Sequence, residues 1–159
     1  MNTLSNFIDK LSKGGAYLSG LLLVGLVGMI LTEIFLRFFF DKSTMIADEY
    51  SGYLYLASIF LGLAYTFVQG GHIRINIVTS KLSKGSNTFI DIIASFVTLA
   101  VLFFILYRTI LFTYDSYEFE MLSEAVSETP LYLTQIVMPI GIILFILAVI
   151  SFIIKKVQK

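Results

Sequence analysis

Four long stretches of the chain contain no charged residue, and they alternate with shorter polar segments. These uncharged stretches are Gly14–Thr32, Tyr50–Gly71, Ile92–Tyr107 and Thr129–Ile154. An α-helix rises about 1.5 Å per residue, so roughly 20 apolar residues cross a hydrocarbon core about 30 Å thick. Together with their apolar flanks, the stretches predict an all-α integral membrane domain. Its four expected spans cover residues 14–40, 50–71, 89–113 and 129–154.

The charged residues outside these stretches are separated by sign. Basic residues occupy the N-terminal segment, the middle loop and the C-terminal tail: Lys10, Lys13, Arg74, Lys81, Lys84, Lys155, Lys156 and Lys159. The first and third loops are acidic, with Asp41, Asp48, Glu49, Asp115, Glu118, Glu120, Glu124 and Glu128. Because cytoplasmic loops carry the excess of Lys and Arg, we expect both termini and the middle loop in the cytoplasm.

Composition narrows the class of protein further. Of 159 residues, 57% are hydrophobic and 14% are charged, with eleven basic and eleven acidic side chains. Soluble domains are about 45–50% apolar and about 25% charged, so a free soluble enzyme or a nucleic-acid binder is not expected. The chain has no cysteine and one histidine, His72. A haem held by two histidines is therefore excluded, and no cofactor or metal is expected.

Local patterns add detail to the four-span layout. Apolar residues between Leu4 and Leu11 share one helical face, which predicts a short amphipathic helix at the interface before the first span. The alternation from His72 to Ile77 predicts an interfacial loop that leads into a short helix around residues 77–82. Thr129-Pro130 is expected to act as an N-cap followed by a first-turn proline. Pro139 with Gly141 predicts a kink within the fourth span.

Several residues are placed for contact between helices. Glu33 and Arg37 are four residues apart, so they share a helix face and can pair. Ser58, Gly62 and Thr66 form a smooth face of small residues in the second span, where helices can approach closely. Each set has two open interpretations, which are contact with a partner chain and packing or pairing within this chain. The acidic third loop is either a docking surface for a soluble partner or a solvated loop.

The order of short motifs along the chain resembles a known family. Glu33-x-x-x-Arg37-Phe38 ends the first span, Asp48-Glu49 opens the second, and Gly70-Gly71-His72-Ile73-Arg74 closes it. Ser127-x-Thr129-Pro130-Leu131-Tyr132 opens the fourth span, followed by Gln135 and Met138-Pro139-Ile140-Gly141. This arrangement is similar to the small, DctQ-type membrane subunit of tripartite ATP-independent periplasmic (TRAP) transporters. Ala47 and Tyr132 stand where that family commonly has tryptophan.

The resemblance implies an accessory subunit of the bacterial inner membrane, without catalytic activity, in a Na⁺-driven importer of organic acids such as C4-dicarboxylates or sialic acid. Such a subunit packs against a large transport subunit and supports docking of a periplasmic substrate-binding protein. The residues expected at partner interfaces are Glu33, Arg37, Asp48, Glu49, Ser58, Gly62, Thr66, His72, Ser127, Thr129, Pro130 and Gln135. The alternative is a small oligomeric proton-coupled transporter that uses Glu33.

Overall fold

Helices make up every regular element in the described part of the chain. The computed structural model describes residues 3–70 and 84–157. Its helices are α1 (Thr3–Phe40), α2 (Ala47–Val68), α3 (Lys84–Glu118), α4 (Leu131–Gln135) and α5 (Val137–Val157). Helices α1, α2 and α3, and the segment formed by α4 and α5, are each long and apolar enough to cross a membrane. The expected all-α membrane fold with four spans is confirmed.

Helix α5 lies at the centre of the bundle. It packs against α1, α2 and α3, and α1 also packs along α2. Leu102 of α3 meets Ile142, Ile146 and Val149 of α5 in the buried core. The span that contains α5 is also the most apolar, with a hydropathy of 3.0. A helix that is apolar on all sides is suited to a central position, because each of its faces can then be covered by another helix.

Helix α1 is buried along one narrow seam. Ser5, Ser12 and Ser19 recur every seven residues on this seam, with Ile8 and Gly15 between them. Ile8 and Ser12 are almost fully buried. Because the seam runs unbroken from Ser5, the amphipathic segment that we expected as a separate interfacial helix forms the first turns of α1. A seven-residue repeat buries only one stripe of a helix, so most of the α1 surface stays uncovered.

Two glycines allow α1 and α5 to approach the backbone of α2 closely. A Cβ atom on Gly15 would lie 2.8 Å from the carbonyl oxygen of Leu61. A Cβ atom on Gly141 would lie 2.5 Å from the carbonyl oxygen of Phe60. Small residues permit such close approach where lipid supplies no hydrophobic force for helix association. Neighbouring residues of α2 are therefore contacted by the backbones of two helices.

The fourth span is interrupted at Ile136, which separates α4 from α5. Pro139 has no N–H to donate to the carbonyl of Gln135, so the expected distortion falls one turn before the proline. Gly141 lies within the continuous helix α5, so the break does not fall at this residue; Gly141 instead allows the close contact with α2. The expected cap is wrong in detail. Pro130 is itself the N-cap residue, with extended ψ of 118° and no capping side chain, and Thr129 makes other contacts described below.

The first turns of α1 and the last turns of α5 adjoin at one end of the bundle, called here the terminal end. Ser5 and Ser151 share a hydrogen bond of 3.1 Å. Lys155 pairs with Asp9 of α1 at 2.8 Å, and Lys156 pairs with Asp91 of α3 at 2.5 Å. The opposite end carries the loops 41–46 and 119–130 and is called the loop end. His72 and the helix expected around residues 77–82 lie outside the described residues.

Candidate functional site

The Glu33 cluster, formed by Glu33, Arg37, Ser43 and Thr44, closes the first loop onto α1. The Glu33 side chain is only 7% exposed, whereas that of Arg37 is 55% exposed. One carboxylate oxygen accepts hydrogen bonds from Arg37 Nε at 2.6 Å and from the Ser43 hydroxyl at 2.5 Å. The other accepts bonds from the Thr44 backbone N–H at 2.9 Å and from the Thr44 hydroxyl. Four donors therefore satisfy a charge that would be costly if it were buried alone.

Arg37 extends the Glu33 cluster towards the start of α2. Its guanidinium lies 3.8 Å from a carboxylate oxygen of Asp48, whose side chain is 95% exposed. An exposed pair at this distance contributes little to stability, typically about 0–1 kcal/mol. Arg37 and Asp48 therefore present charge at the loop end and remain accessible to another molecule. Glu33 is already occupied by its own loop.

The Glu49 cluster, formed by Glu49, Tyr50, Tyr53, Ser127 and Thr129, joins the third loop (residues 119–130) to the first turns of α2. One Glu49 oxygen accepts a hydrogen bond from the Tyr53 hydroxyl at 2.6 Å, and the other accepts one from the Ser127 hydroxyl. The hydroxyls of Ser127 and Thr129 lie 2.7 Å apart, and those of Tyr50 and Thr129 lie 3.2 Å apart. The cluster thus unites candidates from the second and fourth spans.

The loop 119–130 folds back on itself as a compact turn. Backbone hydrogen bonds join Ser123 N–H to the Thr129 carbonyl at 2.9 Å and Leu131 N–H to the Met121 carbonyl at 3.0 Å. The aromatic rings of Tyr117 and Tyr132 meet edge to face, with centroids 5.3 Å apart. The acidic loop is therefore held in one shape by its own backbone, by α3 and by Glu49.

The small residues of α2 line a groove of about 350 Å³ between α1 and α2, called here the α1/α2 groove. Ser58 is buried, and its carbonyl accepts a hydrogen bond of 2.6 Å from the hydroxyl of Ser19 on α1. Gly62 also faces Ser19, while Thr66 is exposed. The small face is thus partly used for internal packing, and its outer edge stays open along with Tyr55 and Ile59.

Gln135 is the buried polar residue at the break between α4 and α5. It is 7% exposed, and its side-chain oxygen has no hydrogen-bond partner within the described residues. Pro130 lies at the start of α4, beside the Glu49 cluster, and packs across the loop against Leu122. Pro130 and Gln135 therefore both lie in the first turns of the fourth span, but Pro130 adjoins the Glu49 cluster whereas Gln135 is buried at the helix break.

Sequence reasoning missed the partners that hold the two carboxylates. Ser43 and Thr44 bind Glu33, and Tyr53 binds Glu49. The contacts of Ser43 and Thr44 could have been predicted, because their loop of only six residues must fold back near the last turns of α1. Tyr53 follows Glu49 by four residues, which places both side chains on one helix face. Ser19 could not be found in this way, since its partner lies 39 residues away.

These observations define a multi-pass helical membrane protein in which Glu33 holds the loop 41–46 and Glu49 holds the loop 119–130. The chain belongs to the DctQ component family of the tripartite ATP-independent periplasmic transporters, whose sequence model matches residues 26–159. Proteins of this family are transporter components and not enzymes, and the tripartite system also includes a large membrane subunit and a substrate-binding protein.

Two curated relatives are similar to the chain. A Haemophilus influenzae protein assigned as a TRAP transporter small permease is 24% identical over 134 residues, which cover 84% of this chain and 79% of the relative. The ectoine TRAP transporter small permease protein TeaB of Halomonas elongata is 25% identical over 108 residues. That match covers 68% of this chain and 55% of TeaB, so the matched region spans just over half of TeaB.

Proposed function

We propose that this chain is the scaffold subunit of a Na⁺-driven TRAP importer of organic acids, of the C4-dicarboxylate or sialic-acid type. It packs against the large transport subunit in the membrane and supports docking of the periplasmic substrate-binding protein. Family membership supports the assembly. The name of TeaB specifies ectoine for that relative, so the substrate of this chain is to be tested directly.

The observation that carries the scaffold role is the large uncovered surface of the bundle. Only a narrow seam of α1 is buried, and the α1/α2 groove is open beside it. Ser58, Gly62 and Thr66 in this groove offer the small side chains that membrane helices use for close packing. We assign the groove to a helix of the large subunit.

The loop end supplies a second, polar surface. Arg37 and Asp48 are accessible there, and the Glu49 cluster holds the acidic loop in one shape. A surface that is ordered before binding loses less conformational entropy when a partner docks. Ser127, Thr129, Pro130 and Gln135 are assigned to the support of this surface, and the acidic side chains around them to contact with the soluble binding protein.

The proposed orientation places the terminal end in the cytoplasm and the loop end in the periplasm of the bacterial inner membrane. Lys155 and Lys156 lie at the terminal end, close to the first turns of α1. The loops at the opposite end are predominantly acidic. This distribution follows the excess of basic residues on the cytoplasmic side of membrane proteins. Cysteine accessibility measured from each side of the membrane, with the cysteine-free chain as background, tests the orientation.

The alternative function, a small proton-coupled transporter, depended on Glu33. A carboxylate that carries protons must be free to gain and lose them along a pathway. The Glu33 carboxylate instead lies at the loop end and accepts four hydrogen bonds from Arg37, Ser43 and Thr44. This geometry and the family membership favour the scaffold role.

Transport by reconstituted complexes tests the proposed function. Proteoliposomes that contain both membrane subunits are expected to take up the organic acid only with the binding protein and an inward Na⁺ gradient. Proteoliposomes with the large subunit alone should transport more slowly. Full transport without this chain would contradict the scaffold role, and uptake without Na⁺ would contradict the coupling.

A matched pair of substitutions tests the assignment of the α1/α2 groove. Ile59 lines the groove and is 42% exposed, whereas Ile93 on α3 lies outside it and is 48% exposed. Ile59→Trp should fill the groove and reduce co-purification with the large subunit, because the bulky ring blocks close helix packing. Ile93→Trp should leave co-purification unchanged. The reverse result would place the interface on α3.

A further inference from the structure

Arg108 is an exposed cation within the third span. It lies on α3, and among the residues that the structure describes no hydrogen bond or ion pair involves it. The other charged residues of this helix within the span are Asp91, Asp115 and Glu118. Asp91 pairs with Lys156 at the terminal end, and among the described residues neither Asp115 nor Glu118 forms an ion pair with Arg108. The residues one turn before and after Arg108 on the same face are Phe104 and Phe112, which carry no anion. No anion among the described residues therefore neutralises the Arg108 guanidinium, which is free to bind an anion from outside the chain.

The depth of Arg108 is set by its distance from Asp91. Seventeen residues separate them, which corresponds to about 25 Å along the helix at 1.5 Å per residue. The hydrocarbon core is about 30 Å thick. If it begins near the ion pair of Asp91 and Lys156, Arg108 lies close to its boundary at the loop end. Three exposed tyrosines on the same stretch of α3, Tyr107, Tyr114 and Tyr117, are typical of the interface between membrane and water.

The surface of α3 between Arg108 and the terminal end is better suited to contact with a lipid than to packing against a protein helix. Val97, Val101 and Phe104 follow one stripe towards the terminal end, and each is more than half exposed. These side chains are large and apolar, whereas surfaces for close helix packing use small residues such as those of the α1/α2 groove. A phospholipid has the same arrangement: its phosphate would lie beside the guanidinium, and an acyl chain would run along the apolar stripe towards the terminal end.

We propose that Arg108 binds the phosphate of a phospholipid in the loop-end leaflet, with an acyl chain along Val101 and Phe104. The guanidinium supplies a planar pair of donors suited to two phosphate oxygens. The site makes the outward face of α3 a lipid-facing surface. The α1/α2 groove, on another side of the bundle, then remains for the large subunit. In this respect the lipid site rests on the proposed function and extends it.

The experiment measures lipid retention in the complex of both membrane subunits. The complex is purified in mild detergent, stripped of lipid and titrated with phosphatidylglycerol, and bound lipids are counted by native mass spectrometry. Arg108→Gln should weaken binding of the most tightly held lipid by about tenfold, the effect of losing one charge-assisted contact. Arg108→Lys should show an intermediate loss, because it keeps the charge without the planar donor pair. The control Lys42→Gln removes an exposed loop cation and should change nothing.

Two results would overturn the lipid site. Equal lipid binding by the wild-type chain and by Arg108→Gln would show that the cation does not hold a phosphate. Loss of the large subunit from Arg108→Gln, with lipid binding unchanged, would identify a carboxylate of that subunit as the partner. Lipid counts are compared at equal subunit ratios. A failure of the wild-type subunits to assemble, which contradicts the proposed function, is thereby recorded separately from a change in lipid binding.

Discussion

The hydroxyl of Ser127 donates a hydrogen bond to the carboxylate of Glu49, although 78 residues separate them along the chain. This contact joins the loop before α4 to the first turn of α2, two elements that are separated along the chain by α3. The same carboxylate accepts a hydrogen bond from Tyr53. Glu49 therefore acts as a fixed point for the loop end, and its removal should affect a segment far from it in sequence.

The first prediction concerns this fixed point. Glu49→Gln should lower the free energy of unfolding, because the amide has one accepting oxygen where the carboxylate has two. Limited proteolysis should also cut the loop 119–130 faster. Unfolding in mixed detergent micelles and the cleavage rate are the two measurements. Glu124→Gln, which changes an exposed acid of the same loop, serves as the control. Equal cleavage of the two variants would contradict the role of Glu49.

The second prediction separates stability from association in the Glu33 cluster. Glu33→Gln should destabilise the chain by about 1–3 kcal/mol, since three groups of the first loop and Arg37 lose a charged acceptor. Arg37→Gln should cost less stability than Glu33→Gln, because the Arg37 side chain is half exposed. Arg37→Gln should nevertheless weaken co-purification with the large subunit, because it removes the accessible positive charge. If Arg37→Gln were as unstable as Glu33→Gln, Arg37 would serve mainly to stabilise the fold, which would contradict its assignment to partner contact.

The outline of the fold could be predicted from the sequence because hydrocarbon imposes a simple rule. A span requires about 20 predominantly apolar residues, and the chain shows four such stretches, the third when Ile92–Tyr107 is taken with its apolar flanks. The pairing of Glu33 with Arg37 also followed from a spacing of four residues. Both predictions depend on neighbours in the chain, where helix geometry alone determines which side chains meet.

Contacts between distant segments could not be predicted in the same way. The sequence does not show that Ser127 meets Glu49, because that contact depends on how α2 and the fourth span pack together. The cap assigned to Thr129 failed for the same reason. Its hydroxyl is engaged by Tyr50 and Ser127, so α4 begins after an extended Pro130 without a capping side chain.

The third prediction compares two neighbouring ion pairs at the terminal end. Lys155 and Asp9 are 48% and 36% exposed, whereas Lys156 and Asp91 are 30% and 12% exposed. Ion pairs that are less exposed to water are screened less, so Lys156→Ala should destabilise the chain more than Lys155→Ala. The difference is expected to be about 1 kcal/mol in micelle unfolding. Equal effects would show that the link between α5 and α3 adds no more than the link to α1.

The last prediction concerns the contact of Gly141 with α2. A Cβ atom at position 141 would lie 2.5 Å from the carbonyl oxygen of Phe60 and 2.7 Å from its Cβ. Gly141→Ala must therefore displace the α2 backbone, at a cost of about 1–3 kcal/mol or more in unfolding free energy. Gly28→Ala is the matched control, since a Cβ there would meet nothing within 4 Å. A variant Gly141→Ala as stable as Gly28→Ala would contradict the close packing of α5 on α2.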